Sequence, residues 1–126
     1  MTQIDSESAL NGARILVVED DFLISMELDT ILADAGAKVV GPCRTIAQAK
    51  RLIEANSISG AVLDFRLGAD TSLSIAHELR RHDIPFVFFT AQANTRQIQS
   101  ECPGATVVAK PFHRRTILAA VADMFH

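Results

Sequence analysis

The sequence predicts a single α/β domain built around a parallel sheet. Five short apolar runs alternate along the chain with segments in which apolar residues recur at helical spacing, a pattern typical of a parallel sheet covered by helices. The 126 residues can form one hydrophobic core but are too few for two ordinary domains. Because 48% of the residues are hydrophobic, we expect the chain to fold rather than to remain disordered.

The five predicted strands are short and rich in β-branched or aromatic residues. They cover residues 13–18, 38–41, 61–65, 86–89 and 106–109. The second is predicted to end at Pro42, because proline lacks the N–H that a strand donates to its neighbour. The third is apolar apart from one acid and shows no alternation, which predicts a strand buried on both faces.

The predicted helices place apolar residues three or four positions apart. They cover residues 24–35, 46–55, 71–81 and 114–124, with a shorter one within 93–102. Gly36 is expected to end the first helix, and Thr45 to cap the second. Residues 68–70 are predicted to form a loop. Ile98 is the one large apolar residue within 93–102, so that helix is expected to be weakly held.

Residues 1–13 are predicted to be a polar lead-in, and residues 14–126 the folded domain. The lead-in has no continuous apolar run, so it predicts neither a signal peptide nor a membrane anchor. A net charge of −3 and the lack of a Lys/Arg cluster argue against a nucleic-acid-binding surface. Cys43 and Cys102 lie in no metal-binding pattern and are expected to be reduced thiols of a cytoplasmic protein.

Polar residues lie at the ends of four of the apolar runs. They are Glu19 with Asp20, Asp64, Thr90 and Lys110. Because the carboxyl ends of parallel strands lie along one edge of a sheet, we expect these side chains to converge on one cleft. Three carboxylates so close together would raise one another's pKa unless a cation lay between them, and Mg²⁺ or Mn²⁺ suits such oxygen ligands.

These residue types suit phosphoryl transfer to the Asp64 carboxylate. The metal ion and Lys110 would neutralise charge on the phosphoryl oxygens, and the Thr90 hydroxyl would respond to the product. Structural alternatives are also open. The acids at 19–21 could lie in the first turn of a helix, and Lys110 could be a solvated surface residue. Asp64 and Thr90 could each cap a turn at the end of a strand, although the joint occurrence of all these residues favours the functional interpretation.

Four motifs carry a resemblance to a known family. They are ILVVED at 15–20, VLDF at 62–65, FFTA at 88–91 and AKPF at 109–112. In this order and spacing they resemble the receiver domain of two-component response regulators, from about Arg14 to the C-terminus. The resemblance implies the flavodoxin-like receiver fold, a three-layer αβα arrangement whose five parallel strands lie in the order 2-1-3-4-5.

The same resemblance implies a cytoplasmic, single-domain response regulator in a phosphorelay, and not a classified stand-alone enzyme. It would receive a phosphoryl group from a histidine kinase or a phosphotransfer protein. It would then signal to an unidentified protein target by direct contact. Direct binding of nucleic acid or membrane is not expected, and homodimer formation is left open.

The resemblance also assigns roles to the residues of the cleft. Asp64 matches the phosphoacceptor and also contacts the metal ion. Asp20 matches a direct metal ligand, and Glu19 an acid that binds the ion, commonly through water. The backbone carbonyl of Arg66 matches the third protein ligand. Arg66, Ala91 and Gln92 match positions that flank the cleft. In the family, these positions modulate hydrolysis of the phosphoaspartate.

Thr90 matches the switch hydroxyl of the family and Lys110 the phosphate-binding lysine. A cis peptide bond often joins that lysine to a following proline, here Pro111. Many receivers carry Tyr or Phe three residues before the lysine, where this chain has Val107. Switching by a rotating aromatic ring is therefore excluded, and residues 91–103 are expected to reorder instead. These traits resemble a branch of stand-alone receivers, frequent in alphaproteobacteria, that lacks the aromatic switch.

Other classes of function are less favoured by the sequence. The main alternative is a receiver-like interaction module that works without phosphorylation, but such modules usually lose at least one cleft residue. An independent enzyme such as a phosphohydrolase would need a second general acid, and the motifs contain neither this nor a histidine. Flavin or nucleotide binding would need a Gly-rich phosphate loop, which the sequence lacks.

Overall fold

Five parallel strands form the central sheet of a computed structural model, which describes residues 9–91 and 94–125. In chain order the strands are β1 (Arg14–Val18), β2 (Lys38–Cys43), β3 (Gly60–Asp64), β4 (Arg66–Leu67), β5 (Asp70–Thr71), β6 (Phe86–Thr90) and β7 (Thr106–Ala109). The central sheet has the order β2-β1-β3-β6-β7, with every adjacent pair parallel. Counted over these five strands, this is the predicted order 2-1-3-4-5, and the α/β fold class is confirmed.

The helices begin and end close to their predicted positions. They are α1 (Phe22–Asp34), α2 (Ile46–Ala55), α3 (Leu73–Arg81), α4 (Thr95–Glu101) and α5 (Arg114–Asp123). Thr45 caps α2 as predicted, because its side-chain oxygen accepts the N–H of Gln48 at 3.2 Å. The helix α4 has seven residues, of which Ile98 is buried, so the prediction of a short helix is confirmed. In the part of the chain that the structure describes, no helix combines the length and apolar character that crossing a membrane requires.

Two hydrophobic cores lie on opposite faces of the sheet. Leu63 and Phe88 point to one face, where they pack with the buried side chains of α2, α3 and α4. Val62 and Phe89 are their neighbours in the strands and point to the other face, against α1 and α5. The central strands are therefore buried on both sides, as their unbroken apolar runs predict. This packing makes the middle of the sheet a rigid support for whatever lies at its edge.

The prediction that the second strand ends at Pro42 is wrong, because β2 continues to Cys43. The pairing with β1 is irregular at this point, since Leu16 lies opposite Val40 and Val18 opposite Cys43. A proline is tolerated where the ladder is interrupted, and β2 is also an edge strand. The peptide bond between Gly41 and Pro42 is cis.

The prediction of a loop at residues 68–70 is correct for Gly68 and Ala69 but wrong for Asp70, which belongs to a strand. The strands β4 and β5 form a small antiparallel hairpin in which Arg66 lies opposite Thr71. Gly68 turns this hairpin with a φ of +61°, which glycine adopts without the steric cost that a Cβ would bring. Because Thr71 belongs to the hairpin, α3 begins at Leu73, later than predicted. A two-residue strand is too short for its apolar pattern to be recognised in sequence.

Gly41→Ala is expected to lower the free energy of unfolding by roughly 3 kcal/mol. Gly41 has a φ of +103°, and a Cβ there would lie 2.8 Å from the backbone N of Cys43 and 2.9 Å from the backbone O of Val17. Backbone atoms at the irregular pairing of β1 and β2 cannot move aside easily. Urea unfolding measures the loss.

Gly12→Ala is the matched control for this substitution. Gly12 also has a positive φ, of +80°, but a Cβ there would meet no described atom within 4 Å. It should therefore cost only the strain of the left-handed backbone, about 1 kcal/mol. Equal losses for the two variants would show that the contacts at Gly41 are not the cause.

Candidate functional site

The residues predicted to form the cleft do converge at one edge of the sheet. Asp64 is the last residue of β3, the middle strand, and Thr90 is the last residue of β6 beside it. Glu19 directly follows β1, and Lys110 directly follows β7. Because all four strands run in the same direction, their carboxyl ends lie side by side, and residues far apart in sequence become neighbours.

Glu19, Asp20 and Asp64 form a cluster of carboxylates. One oxygen atom of each lies within 4.8 Å of the others, with Glu19 and Asp64 buried and Asp20 half-buried. The next acid, Asp21, has a different role, since it precedes α1 and its side chain accepts the N–H of Ile24 at 3.0 Å. Of the three acids at 19–21, Asp21 is thus the one that interacts with the start of a helix.

Lys110 reaches into this carboxylate cluster. Its Nζ lies 3.1 Å from Oδ2 of Asp64 and 3.5 Å from Oε1 of Glu19, and 25% of its side chain is exposed. The alternative of a solvated surface lysine is therefore wrong. The ammonium also lies 5.0 Å from the centroid of the Phe89 ring, within the range of a cation–π interaction. The peptide bond between Lys110 and Pro111 is cis.

The carboxyl group of Glu19 has a perturbed pKa. Burial removes it from water and raises its pKa to about 8, and its contact with Asp64 acts in the same direction. The backbone N–H of Asp21, which donates to Oε2 at 2.8 Å, and the charge of Lys110 both lower the pKa but do not offset the burial. Burial thus outweighs the effect of the lysine charge on this carboxyl group.

A divalent cation fits this cluster of oxygens. Oε1 of Glu19 is buried and, within residues 9–91 and 94–125, accepts no hydrogen bond. The Lys110 ammonium approaches this oxygen only to 3.5 Å, and carboxylates are the ligands that Mg²⁺ and Mn²⁺ prefer. Glu19, Asp20 and Asp64 are the side chains that could hold the ion. The role of the Arg66 carbonyl as a further ligand stays a prediction.

Two contacts that the sequence did not reveal position Asp20. Its Oδ2 accepts the backbone N–H of Gly68 at 3.0 Å, and its backbone carbonyl accepts a hydrogen bond from Nη2 of Arg44 at 3.3 Å. Gly68 turns the β4–β5 hairpin, which the sequence predicted only as a loop. A backbone N–H leaves no signature in a sequence, so this contact could not have been found there.

Thr90 is buried at the end of β6, with 2% of the residue exposed. Its Oγ1 accepts a hydrogen bond from Nδ2 of Asn94 at 3.0 Å. Its backbone carbonyl accepts the N–H of Lys110 at 2.8 Å, which joins the ends of β6 and β7 at the cleft. Asn94 was not among the predicted site residues, because it belongs to none of the motifs.

The remaining predicted positions lie around the cleft or in the core. Arg66 and Ala91 are exposed, and the backbone N–H of Arg66 donates to Oδ1 of Asp64 at 3.3 Å. Gln92 lies outside the residues that the structure describes. Val107 is half-buried and packs against the core on the side of α2, α3 and α4.

The arrangement can present one carboxylate to an electrophile. The side chain of Asp64 is only 6% exposed, and donors contact both of its oxygens: the Lys110 ammonium at Oδ2 and the Arg66 N–H at Oδ1. These contacts hold the carboxylate in one orientation. A negatively charged group that approached it would meet positive charge at Lys110.

A sequence profile described as "Response regulator receiver domain" matches residues 15–122. The chain is also 30% identical, over 116 residues, to the phyllosphere-induced regulator PhyR of Methylorubrum extorquens. That match covers 89% of this chain and 43% of PhyR, so the chain spans less than half the length of this relative.

Solved structures resemble the chain over most of its length. The solution structure of SdrG from Sphingomonas melonis Fr1 is 35% identical, with a TM-score of 0.78, and the match covers 94% of this chain and 99% of SdrG. The receiver domain of PhyR from Erythrobacter litoralis has a TM-score of 0.82, with 94% and 93% of the two chains covered. At 22% identity, this second likeness supports the fold alone.

In the metal-free protein, Glu19→Gln is expected to raise the free energy of unfolding at about pH 8 and to have a smaller effect at about pH 5. The Glu19 carboxyl has a pKa of about 8 in the folded protein, against an ordinary value of 4.5. Between these values the folded protein binds more protons than the unfolded chain, so its stability falls as the pH rises. Glutamine cannot ionise, so the variant should not lose this stability as the pH rises.

Urea unfolding in the presence of EDTA, at several values of pH, tests this expectation. Glu27→Gln, at an exposed position of α1, is the matched control. Its effect should be the same at both ends of the pH range. A gain for Glu19→Gln that does not grow with pH would contradict the assignment of the raised pKa to Glu19.

Proposed function

The chain belongs to the response regulator receiver domain family, and we propose that it is a response regulator that accepts a phosphoryl group on Asp64. The family consists of signalling regulators and not of classified stand-alone enzymes. In this proposal the donor is a histidine kinase or a phosphotransfer protein, and Mg²⁺ or Mn²⁺ binds at the carboxylate cluster. The observation that carries the proposal is the 3.1 Å contact of Lys110 with Asp64, beside two further carboxylates.

In the proposed reaction an oxygen of the Asp64 carboxylate forms a bond to phosphorus. The bond from phosphorus to the histidine nitrogen of the donor breaks, and its electron pair stays on that nitrogen. The Lys110 ammonium neutralises the charge that the phosphoryl oxygens bring into the cleft. Glu19, Asp20 and Asp64, together with the Arg66 carbonyl, would hold the ion. When bound, the ion supplies Lewis-acid stabilisation of the same phosphoryl oxygens.

We propose that the phosphorylated form signals through residues 91–103. Val107 offers no aromatic ring to rotate, and α4 is a short helix with one buried residue, Ile98. A short helix with one buried residue opens at a low free-energy cost, which suits a switch. Thr90, at the start of this segment, would donate its hydroxyl to the phosphoryl group. The flanking residues that would modulate the lifetime of the phosphoaspartate are Arg66, Ala91 and Gln92.

A group of exposed apolar side chains near the cleft supports the proposal that the domain signals by binding another protein. Phe22, Leu23 and Met26 lie at the start of α1 and are 67%, 74% and 52% exposed. Clustered apolar side chains on a protein surface mark sites of interaction with other proteins. We propose that this face of α1 contacts the phosphoryl donor or the target, in the cytoplasm and without direct binding of nucleic acid.

Acetyl phosphate with Mg²⁺ is expected to add the mass of one phosphoryl group to the native chain, as measured by intact mass spectrometry. Asp64→Asn should prevent the addition, because an amide oxygen is a poor nucleophile, and EDTA should prevent it in the native chain. Asp70→Asn, at an exposed position of the neighbouring hairpin, is the matched control and should react like the native chain. If acetyl phosphate, phosphoramidate and a broad panel of histidine kinases all fail, the phosphate-independent interaction module becomes the better hypothesis.

Glu19→Gln and Asp20→Asn are each expected to weaken Mg²⁺ binding by roughly ten-fold or more, because each removes a charged oxygen ligand. Asp21→Asn is the control, since Asp21 caps α1 and lies outside the cluster. Its effect on the Mg²⁺ affinity should stay below about two-fold. The chain has neither Trp nor Tyr, so calorimetry or NMR is the suitable measurement. If Asp21→Asn alone caused a large loss of Mg²⁺ affinity, the ion would be held by a different set of ligands.

A further inference from the structure

Asn94 lies directly before α4 but does not cap this helix. Asparagine is among the preferred N-cap residues, because its side-chain oxygen can accept an N–H from the first turn. The Asn94 side chain makes no such bond, and its backbone angles, φ −91° and ψ −4°, are helical rather than extended. At the same position of α1 and α2, Asp21 and Thr45 have ψ values of 119° and 160°, and both side chains cap their helices.

The side chain of Asn94 instead turns back to Thr90. Its Nδ2 donates to Oγ1 of Thr90 at 3.0 Å, and its backbone N–H donates to the carbonyl of Ala91 at 3.1 Å. The described hydrogen bonds include none between the Thr90 hydroxyl and the carboxylate cluster. The hydroxyl proposed to sense phosphorylation is therefore held by the residue best placed to cap α4.

A cap would matter more for α4 than for a longer helix. In a helix of seven residues, most backbone N–H and C=O groups lie at one end or the other and lack a partner within the helix. Its described tertiary contacts include the burial of Ile98 and a hydrogen bond from Nε2 of Gln99 to the carbonyl of Ala105 at 2.9 Å. The order of α4 should respond to a single additional hydrogen bond at its start.

We propose that Asn94 is a positioning residue that exchanges between two partners, the Thr90 hydroxyl and the first turn of α4. When the hydroxyl is engaged elsewhere, the Asn94 side chain is released and its backbone moves to extended angles. Its Oδ1 then accepts the N–H of Gln97 and caps the helix. A phosphoryl group on Asp64 would draw the Thr90 side chain toward the cleft and so take its hydroxyl out of reach of the Asn94 amide. That last step rests on the function proposed above, whereas the exchange of partners does not.

Thr90→Val, studied without any phosphoryl donor, tests the exchange of partners. Valine matches threonine in shape but lacks the hydroxyl, so Asn94 should be free to cap α4. The amide of Gln97 is expected to exchange with solvent about five-fold more slowly than in the native protein, the factor that corresponds to the usual free energy of an N-cap. Thr90→Ser keeps the hydroxyl and is the matched control, with exchange like that of the native protein.

The double variant Thr90→Val/Asn94→Ala separates capping from a general effect of the valine. It lacks the capping side chain, so it should not show the slower exchange at Gln97. Slower exchange in this variant would overturn the inference, because the Asn94 amide would not be its cause. Unchanged exchange in Thr90→Val alone would also overturn it. Circular dichroism checks that each variant is folded.

A second arm of the experiment adds Mg²⁺ and beryllofluoride, a mimic of the phosphoryl group. The native protein should show the same slower exchange at Gln97 as Thr90→Val, and Asn94→Ala and Asp64→Asn should not. If Thr90→Val slows the exchange but beryllofluoride has no effect on the native protein, the exchange of Asn94 between partners is supported and its coupling to a phosphoryl group on Asp64 fails; whether Asp64 accepts a phosphoryl group is decided by the mass measurement. The two proposals can thus fail separately.

Discussion

The contact of the Lys110 ammonium with the carboxylates of Asp64 and Glu19 is the interaction on which the cleft depends. Two of the three clustered acids are buried, and burial of like charges is costly unless positive charge compensates for it. Lys110 approaches both buried acids, at 3.1 Å and 3.5 Å, yet the pKa of Glu19 remains raised because burial outweighs this one charge. The proposed divalent cation would supply further positive charge at these carboxylates.

The rest of the fold holds this unfavourable cluster in place. The strands β3, β6 and β7 are paired in register up to the cleft, and the Lys110 N–H donates to the carbonyl of Thr90 at 2.8 Å. Apolar cores on both faces of the sheet leave the strand ends little freedom to relieve the repulsion by moving apart. The segment after Thr90 differs, since α4 contributes one buried residue, Ile98. Firm support on one side of the cleft and a short helix on the other suit the ion binding and the conformational switch proposed above.

Local chemistry was sufficient for much of the structure. Alternating apolar runs predicted the α/β class, because a strand and a helix impose different periods on their buried residues. Thr45 was recognised as a cap because that role depends on residues within one turn of it. The convergence of Asp64, Thr90 and Lys110 followed from the sequence as well, since parallel strands bring their carboxyl ends to one edge whatever their spacing along the chain. The roles at this edge came from motif resemblance, which patterns of polarity alone do not supply.

The helices and strands, and the residues at their ends, follow from local patterns along the chain. The bonds that these residues make depend on the tertiary structure. The course of β2 past Pro42 depends on an irregular pairing with β1 that no local pattern specifies. The backbone N–H of Gly68 reaches Asp20 across 48 positions, and the Asn94 side chain bonds to Thr90 rather than to its own helix. The raised pKa of Glu19 likewise arises from burial among groups supplied by other strands. These features depend on distances and on exclusion of water, and both exist only after the strands have packed together.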